Sequence, residues 1–149
     1  QISTMKFILL ISMLAVSVFA GRTITVEGTM KCPLPFQYTL AIFEMDFMRH
    51  DFVAREYDNS RETVKKYRIS GKAYDPYMGD VEPLLILWHD CGFGDEGHGI
   101  CLCKDLGPEE YNLHLDINFY ERNSMKEFRN CKKACKSDIG ANRDLWWGM

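Results

Sequence analysis

Five consecutive apolar residues, Leu84 to Trp88, follow Pro83 and run into His89-Asp90-Cys91. A proline cannot donate to a β-ladder, so Pro83 marks a strand start. A short continuous apolar run bounded by turn residues reads as a strand buried on both faces. The stretch is too short for a helix, since glycines follow directly after Cys91. The chain is organised around this segment.

The flanking segments read as further strands. In Thr23–Cys32, Ile24, Val26, Gly28, Met30 and Cys32 share one face, and Thr23, Thr25, Glu27 and Thr29 the other. That alternation marks a strand with one buried side, with Cys32 on the apolar face. Pro33-Leu34-Pro35 turns the chain. Tyr38–Met45 reads as a strand apolar on both sides. Asp46–Ser60 is polar with scattered aromatics and reads as a long functional loop. Thr63–Ile69 is a weaker strand whose Lys65 and Lys66 suggest an edge. Ser70-Gly71 and the stretch from Asp75-Pro76 to Gly79 carry turn chemistry. Ile100–Lys104 is a short strand. In Tyr111–Tyr120, Tyr111, Leu113, Leu115, Ile117 and Phe119 face one way and the polar positions face the other. One helix is expected near the end. Ser124-Met-Lys-Glu127 forms a capping box, and Met125, Phe128, Cys131 and Cys135 share a helical face. Short strands separated by turns predict an all-β sandwich or barrel.

The N-terminal residues have a different character. Met5 reads as the start of translation. Lys6 precedes an apolar run from Phe7 to Phe19, and Val18 and Ala20 are the small residues before a cut at Gly21. That succession is a secretory signal peptide, and its apolar run falls short of the ~20 residues a spanning helix needs. No second such run follows, so a secreted, soluble product is expected, without a transmembrane segment. The net charge of −3 and the lack of a basic block leave no case for nucleic-acid binding. No Asn-x-Ser/Thr sequon is present.

All six cysteines, Cys32, Cys91, Cys101, Cys103, Cys131 and Cys135, lie beyond the signal. An even count in an oxidising compartment points to disulfides, with 15 connectivities open. Cys101 and Cys103 face the same way on a strand, so they take different partners. The competing reading is a zinc site made from His89, Cys91, His98, Cys101 and Cys103, but paired C-x-x-C spacing is missing. Gly92-Phe-Gly94-Asp-Glu-Gly97 matches G-x-G-x-x-G without the helix that would hold a pyrophosphate, and Asp95 and Glu96 would repel it. No cofactor or metal is expected. His89 and Asp90 are strand neighbours facing opposite sides, so Asp90 cannot orient His89 for catalysis. His89 reads as a strand-end residue with a local hydrogen bond, His114 as solvated, and His50 as a loop residue.

Thr23-Ile-Thr-Val-Glu-Gly-Thr-Met-Lys-Cys32 resembles the opening strand of the nematode transthyretin-like family. Glu82-Pro83 followed by Leu85-Ile-Leu-Trp-His-Asp-Cys91 resembles its central signature. Leu115-Asp-Ile-Asn-Phe119 and Glu127-Phe-Arg-Asn-Cys131 resemble its closing strand and terminal cysteine. The chain departs from the family in lacking a glycine in the turn between Asp58 and Tyr67. Cys103, Cys135 or both are additional to the usual set, as is a tail carrying Trp146 and Trp147.

The resemblance implies a transthyretin-like (prealbumin/Ig-like) β-sandwich of about seven strands with a short C-terminal helix. The expected division is a leader over 1–20, the sandwich over 21–131, and a helix end and tail over 132–149. The related fold hosts hydroxyisourate hydrolase, whose hallmark is a C-terminal Tyr-Arg-Gly-Ser. This chain ends Asp-Leu-Trp-Trp-Gly-Met, and Tyr67-Arg-Ile-Ser70 is not that motif, so no catalytic residues and no enzyme activity are expected. The expected role is extracellular binding of a protein or cell-surface component, with carriage of a small apolar ligand as the alternative. Adjacent tryptophans in the tail suggest a contact element.

Overall fold

The computed structural model describes residues 21–45, 51–74, 80–92, 100–108, 111–121 and 125–131. The signal segment, His50, His98, most of the G-x-G-x-x-G stretch, Cys135 and the tail with Trp146 and Trp147 lie outside the described residues. The described residues form two β-sheets. The strands are β1 (Arg22–Lys31), β2 (Phe36–Glu44), β3 (Asp51–Ser60), β4 (Val64–Ala73), β5 (Pro83–His89), β6 (Ile100–Asp105), β7 (Asn112–His114), β8 (Ile117–Asn118) and β9 (Arg129–Asn130). In the first sheet β1 lies between antiparallel β4 and the parallel pair β7 and β8, which follow one another along the same side. The second sheet runs β3-β2-β5-β6-β9 and is antiparallel throughout.

The two sheets bury one core between them. β1 contributes Ile24, Val26 and Met30, and β4 contributes Tyr67 and Ile69. Across from them stand Leu40 and Ile42 of β2 and Leu85 and Leu87 of β5. Fully burying one such side chain contributes roughly 1.5–3 kcal/mol. The alternation in β1 and the continuous run in β5 are realised as the sequence indicates. β1 buries its apolar side, and on the other side only Thr25 is buried. β5, in the middle of its sheet, also buries Leu84 and Ile86 on its other face. β2 does the same with Ala41 and Phe43.

Four expectations need correction. Asp46–Ser60 is not wholly a loop, because Asp51–Ser60 is a ten-residue strand paired along β2. It is polar because it is an edge strand, and exposed edges carry charge. A bulge between Ile42 and Phe43 shifts its register, and Phe43 and Phe52 meet edge to face at 5.7 Å. Ser70-Gly71 is not a turn but the interior of β4. A Cβ on Gly71 would sit 2.7 Å from the Val53 side chain and backbone, so the glycine permits β3 and β4 to approach across the corner of the sandwich.

The strand expected over Tyr111–Tyr120 is interrupted at Leu115–Asp116. There the Leu115 carbonyl lies 2.1 Å from where a Gly28 Cβ would stand, so only glycine fits on β1. Its apolar face nevertheless packs on the core as expected, through Tyr111, Leu113, Leu115, Ile117 and Phe119. Finally, Met125–Asn130 is not helical. Met125–Glu127 makes a turn closed by the Phe128 amide donating to the Met125 carbonyl, Phe128 enters the inter-sheet core, and Arg129–Asn130 pairs with β6. Tertiary pairing overrides the local capping signal. Cys131 is helical, and the remainder of the expected helix lies outside the described residues.

Candidate binding surface

The chemistry-bearing residues picked from the sequence are used structurally. Cys32 is bonded to Cys91, joining the ends of β1 and β5 and so the two sheets. Cys101 is bonded to Cys131, joining β6 to the residue after β9. Cys103 is also disulfide-bonded. The thiolates that a zinc site would have needed are therefore oxidised. Among the described residues no group of three or more His, Cys, Asp and Glu side chains could hold a metal ion.

His89 ends β5 with its side chain on the core side, against Phe119 at 4.0 Å between ring centroids. It is 4% exposed, and its Nδ1 is buried with no hydrogen-bond partner. The local hydrogen bond expected for His89 is therefore not made through Nδ1. Burial pushes the imidazole pKa down to about 4, so the ring is neutral near pH 7. Asp90 points elsewhere, as strand geometry requires. Its Oδ1 accepts from the Gln37 amide at 2.7 Å, and its own amide donates to the Gln37 carbonyl.

Two buried tyrosines fasten the corners. The Tyr38 hydroxyl donates to Glu56 Oε1 at 2.8 Å, and Glu56 Oε2 accepts from the Arg68 amide, so one carboxylate ties β2, β3 and β4 together. The Tyr67 hydroxyl donates to the Leu115 carbonyl at 2.7 Å, where that strand lane breaks. Burial raises both phenol pKa values far above the ordinary range, and Glu56 adds to the effect at Tyr38.

The outward face of the first sheet is a polar platform three lanes wide. Its rows follow from the register: Lys72 beside Thr23; Ser70, Thr25 and Asn112; Arg68, Glu27 and His114; Lys66 beside Thr29. Lys31 lies at the end of β1, opposite Val64. Thr25 and Ser70 hydroxyls are 2.9 Å apart. Asp116 Oδ1 accepts from the Thr29 amide and hydroxyl at 2.9 and 2.6 Å, which holds its carboxyl below the usual range. Glu27 and Arg68 form an exposed ion pair at 3.7 Å. Lys31, Lys66, Arg68 and Lys72 are all exposed, so four cations meet two carboxylates here, on a chain of net charge −3.

With this geometry established, comparison with known proteins adds little. No family model matches the chain. No curated protein matches it either. Among solved structures, an alternative pilotin from the type II secretion system of Vibrio cholerae aligns with 66% of this chain and 95% of its own length. The identity is 9% and the TM-score 0.40, a likeness too slight to carry an argument.

Sequence reasoning found the threonine face of β1 but not its neighbours on the platform. The signal was present in β4, where Lys66, Arg68, Ser70 and Lys72 alternate with Tyr67, Ile69 and Gly71. Reading Ser70-Gly71 as a turn cut that pattern in half. Glu56 was missed because its strand was read as a loop. Among the described residues no helix is long and apolar enough to cross a membrane.

Proposed function

We propose that this chain is a secreted, transthyretin-like β-sandwich that binds an extracellular protein or cell-surface component and performs no catalysis. The observation that carries the reading is the use to which its reactive groups are put. Cys32, Cys91, Cys101, Cys103 and Cys131 are cross-linked, as suits an oxidising compartment. Asp90 is spent on a backbone amide, and His89 is buried and neutral. A general base works best with a pKa near the operating pH, which a value of about 4 does not provide. What remains outward is a broad surface of donors and charges.

The strand order bears on the family. Constant-type immunoglobulin domains place their first two strands in one sheet. Here β1 and β2 lie in different sheets, and β1 pairs parallel with β7 and β8. That arrangement sets this sandwich apart from the constant-type immunoglobulin order, and the transthyretin-like reading rests on the motifs of β1 and β5.

The test is expression of the full chain in a secretory host. The protein should appear in the medium with its N-terminus near Gly21, and the labelled protein should bind intact cells saturably. Retention inside the cell with residues 1–20 intact, or no saturable binding, would overturn the reading. Native mass spectrometry of the same material separates the carrier alternative, which requires a co-purifying small apolar molecule.

A further inference from the structure

Resting on the reading of an extracellular binding module, we propose that the outward face of the first sheet docks a linear sulfated polysaccharide. Lys66, Arg68 and Lys72 lie along one strand, β4, which is the edge of its sheet. Lys66 and Lys72 are six residues apart, about 20 Å at the rise of an antiparallel strand. Lys31 lies beyond Lys66, at the end of the adjacent β1. The cations thus form a line rather than a nest, which suits an extended polyanion better than a compact anion.

The two carboxylates on the face do not cancel it. Asp116 is held first by Thr29, with His114 at 3.5 Å and Lys31 also near, and Glu27 pairs with Arg68 at 3.7 Å in solvent. Such solvent-exposed pairs contribute little, so a sulfate can replace Glu27 readily. Thr23 and Ser70 are exposed and supply hydroxyls between the charges, matching the hydroxyls and sulfates of a sugar polymer. The rest of the chain carries the opposite charge balance, so complementarity confines the polymer to this face. An anionic membrane fits less well. Stable membrane attachment needs a second, apolar anchor beside the charges, and the exposed apolar side chains here, Val64 and Tyr74, stand singly at opposite ends of the row. Duplex DNA is the rival polyanion, bound through its phosphates, and the competition arm of the experiment separates it.

The experiment uses the full secreted chain on immobilised heparin as the probe, across a salt series. Lys66→Ala with Lys72→Ala is compared with Arg61→Ala with Lys126→Ala, a pair of the same charge loss off the face. Binding should weaken with salt. The face variant should lose roughly tenfold or more in affinity, with a log–log salt slope shallower by about two. The control variant should stay within about twofold, and every variant should remain cooperatively folded under the binding conditions. Equal loss in both variants, or loss in neither, overturns the proposal. So does competition by duplex DNA at equal charge, or binding to phosphatidylserine vesicles in place of heparin. Cells stripped of sulfated polysaccharide by lyases separate this idea from its premise. If they bind the protein as well as untreated cells do, the polysaccharide assignment fails and the binding-module reading stands. If no cells bind it at all, the premise fails.

Discussion

Lys66 on β4 and Ile86 on β5 both point away from the core between the sheets. Lys66 is exposed, whereas Ile86 is 1% exposed and packs with Ala41, Phe43, Leu84, Cys103 and Cys131. One sheet therefore has a wet outer face and the other an apolar, covered one. The pattern follows from the strands themselves. β1 alternates apolar and polar residues and can cover one core. β5 has apolar residues at every position from Leu84 to Trp88 and must be covered twice. The difference separates roles. The second sheet is the structural middle of the domain, and the first is where the domain meets its surroundings.

The largest effects should come from breaking the cross-links. Cys32–Cys91 closes a separation of 59 residues and Cys101–Cys131 one of 30. On the chain-entropy model these contribute about 4.3 and 3.7 kcal/mol. Cys32→Ala with Cys91→Ala is expected to cost more than Cys101→Ala with Cys131→Ala, read from urea midpoints. The first bond joins the two sheets at the inter-sheet core, and the second lies on the outer face of one sheet. An equal or reversed order would mean that the outer layer contributes as much as the inter-sheet core.

The comparison is sharpest on two adjacent residues. Leu85 faces the inter-sheet core and Ile86 the outer cluster. Each is almost fully buried, so Leu85→Ala and Ile86→Ala should each cost about 2–5 kcal/mol. A cost under about 1 kcal/mol for Ile86→Ala would show that the outer cluster is loosely packed and that the sandwich has a single working core.

Acid should act through His89. Its folded pKa of about 4 lies below the ordinary 6.5, so the unfolded chain binds the proton more readily. Stability is then complete above about pH 6.5 and falls as the pH drops toward 4, by about 3 kcal/mol in all. Asp58 and Asp116 have lowered pKa values, caused first by hydrogen bonds from Lys65 and Thr29. Their contributions, and that of Glu127 beside Lys104, are lost as the pH falls through the carboxylate range, at and below the acid end of the His89 window. His89→Phe should flatten the stability profile between pH 4.5 and 6.5. An unchanged slope would assign the acid sensitivity to other groups.

How much of this was legible depends on where the physical signal resides. The β1 alternation and the β5 run are local, and the sequence carries both completely. β3 carries no hydrophobic period, because an edge strand bonded on one side has little to bury, and its polar residues look like a loop. The helix expected near Phe128 had a correct local signal that lost to pairing with β6. The buried His89 could not have been anticipated. Phe119, which stacks on it, lies 30 positions along the chain, and nothing near His89 announces it. The cysteine pairings were open for the same reason, since spacing alone leaves 15 connectivities.

The smallest expected effect completes the contrast. Lys66 and Lys72 stand on the wet face, where side chains are exposed and replacement removes no packing. Surface substitutions of this kind usually fall within about 0.5 kcal/mol. Lys66→Ala should therefore leave the urea midpoint and its slope unchanged. Lys72→Ala may be compared on the same footing, although its ammonium lies 5.2 Å from the Tyr74 ring centre. Exposed cation–π contacts are worth about 0.5–1 kcal/mol, so a small loss at Lys72 with none at Lys66 is the expected order. If removing either lysine instead stabilises the domain, like-charge repulsion along β4 is being relieved. The line of cations would then be held against a stability cost, as expected where a surface is kept for an anionic partner rather than for the fold. A loss above about 1 kcal/mol at Lys66 would place that side chain in a packing role. The two outer faces would then differ in polarity but not in their importance to stability.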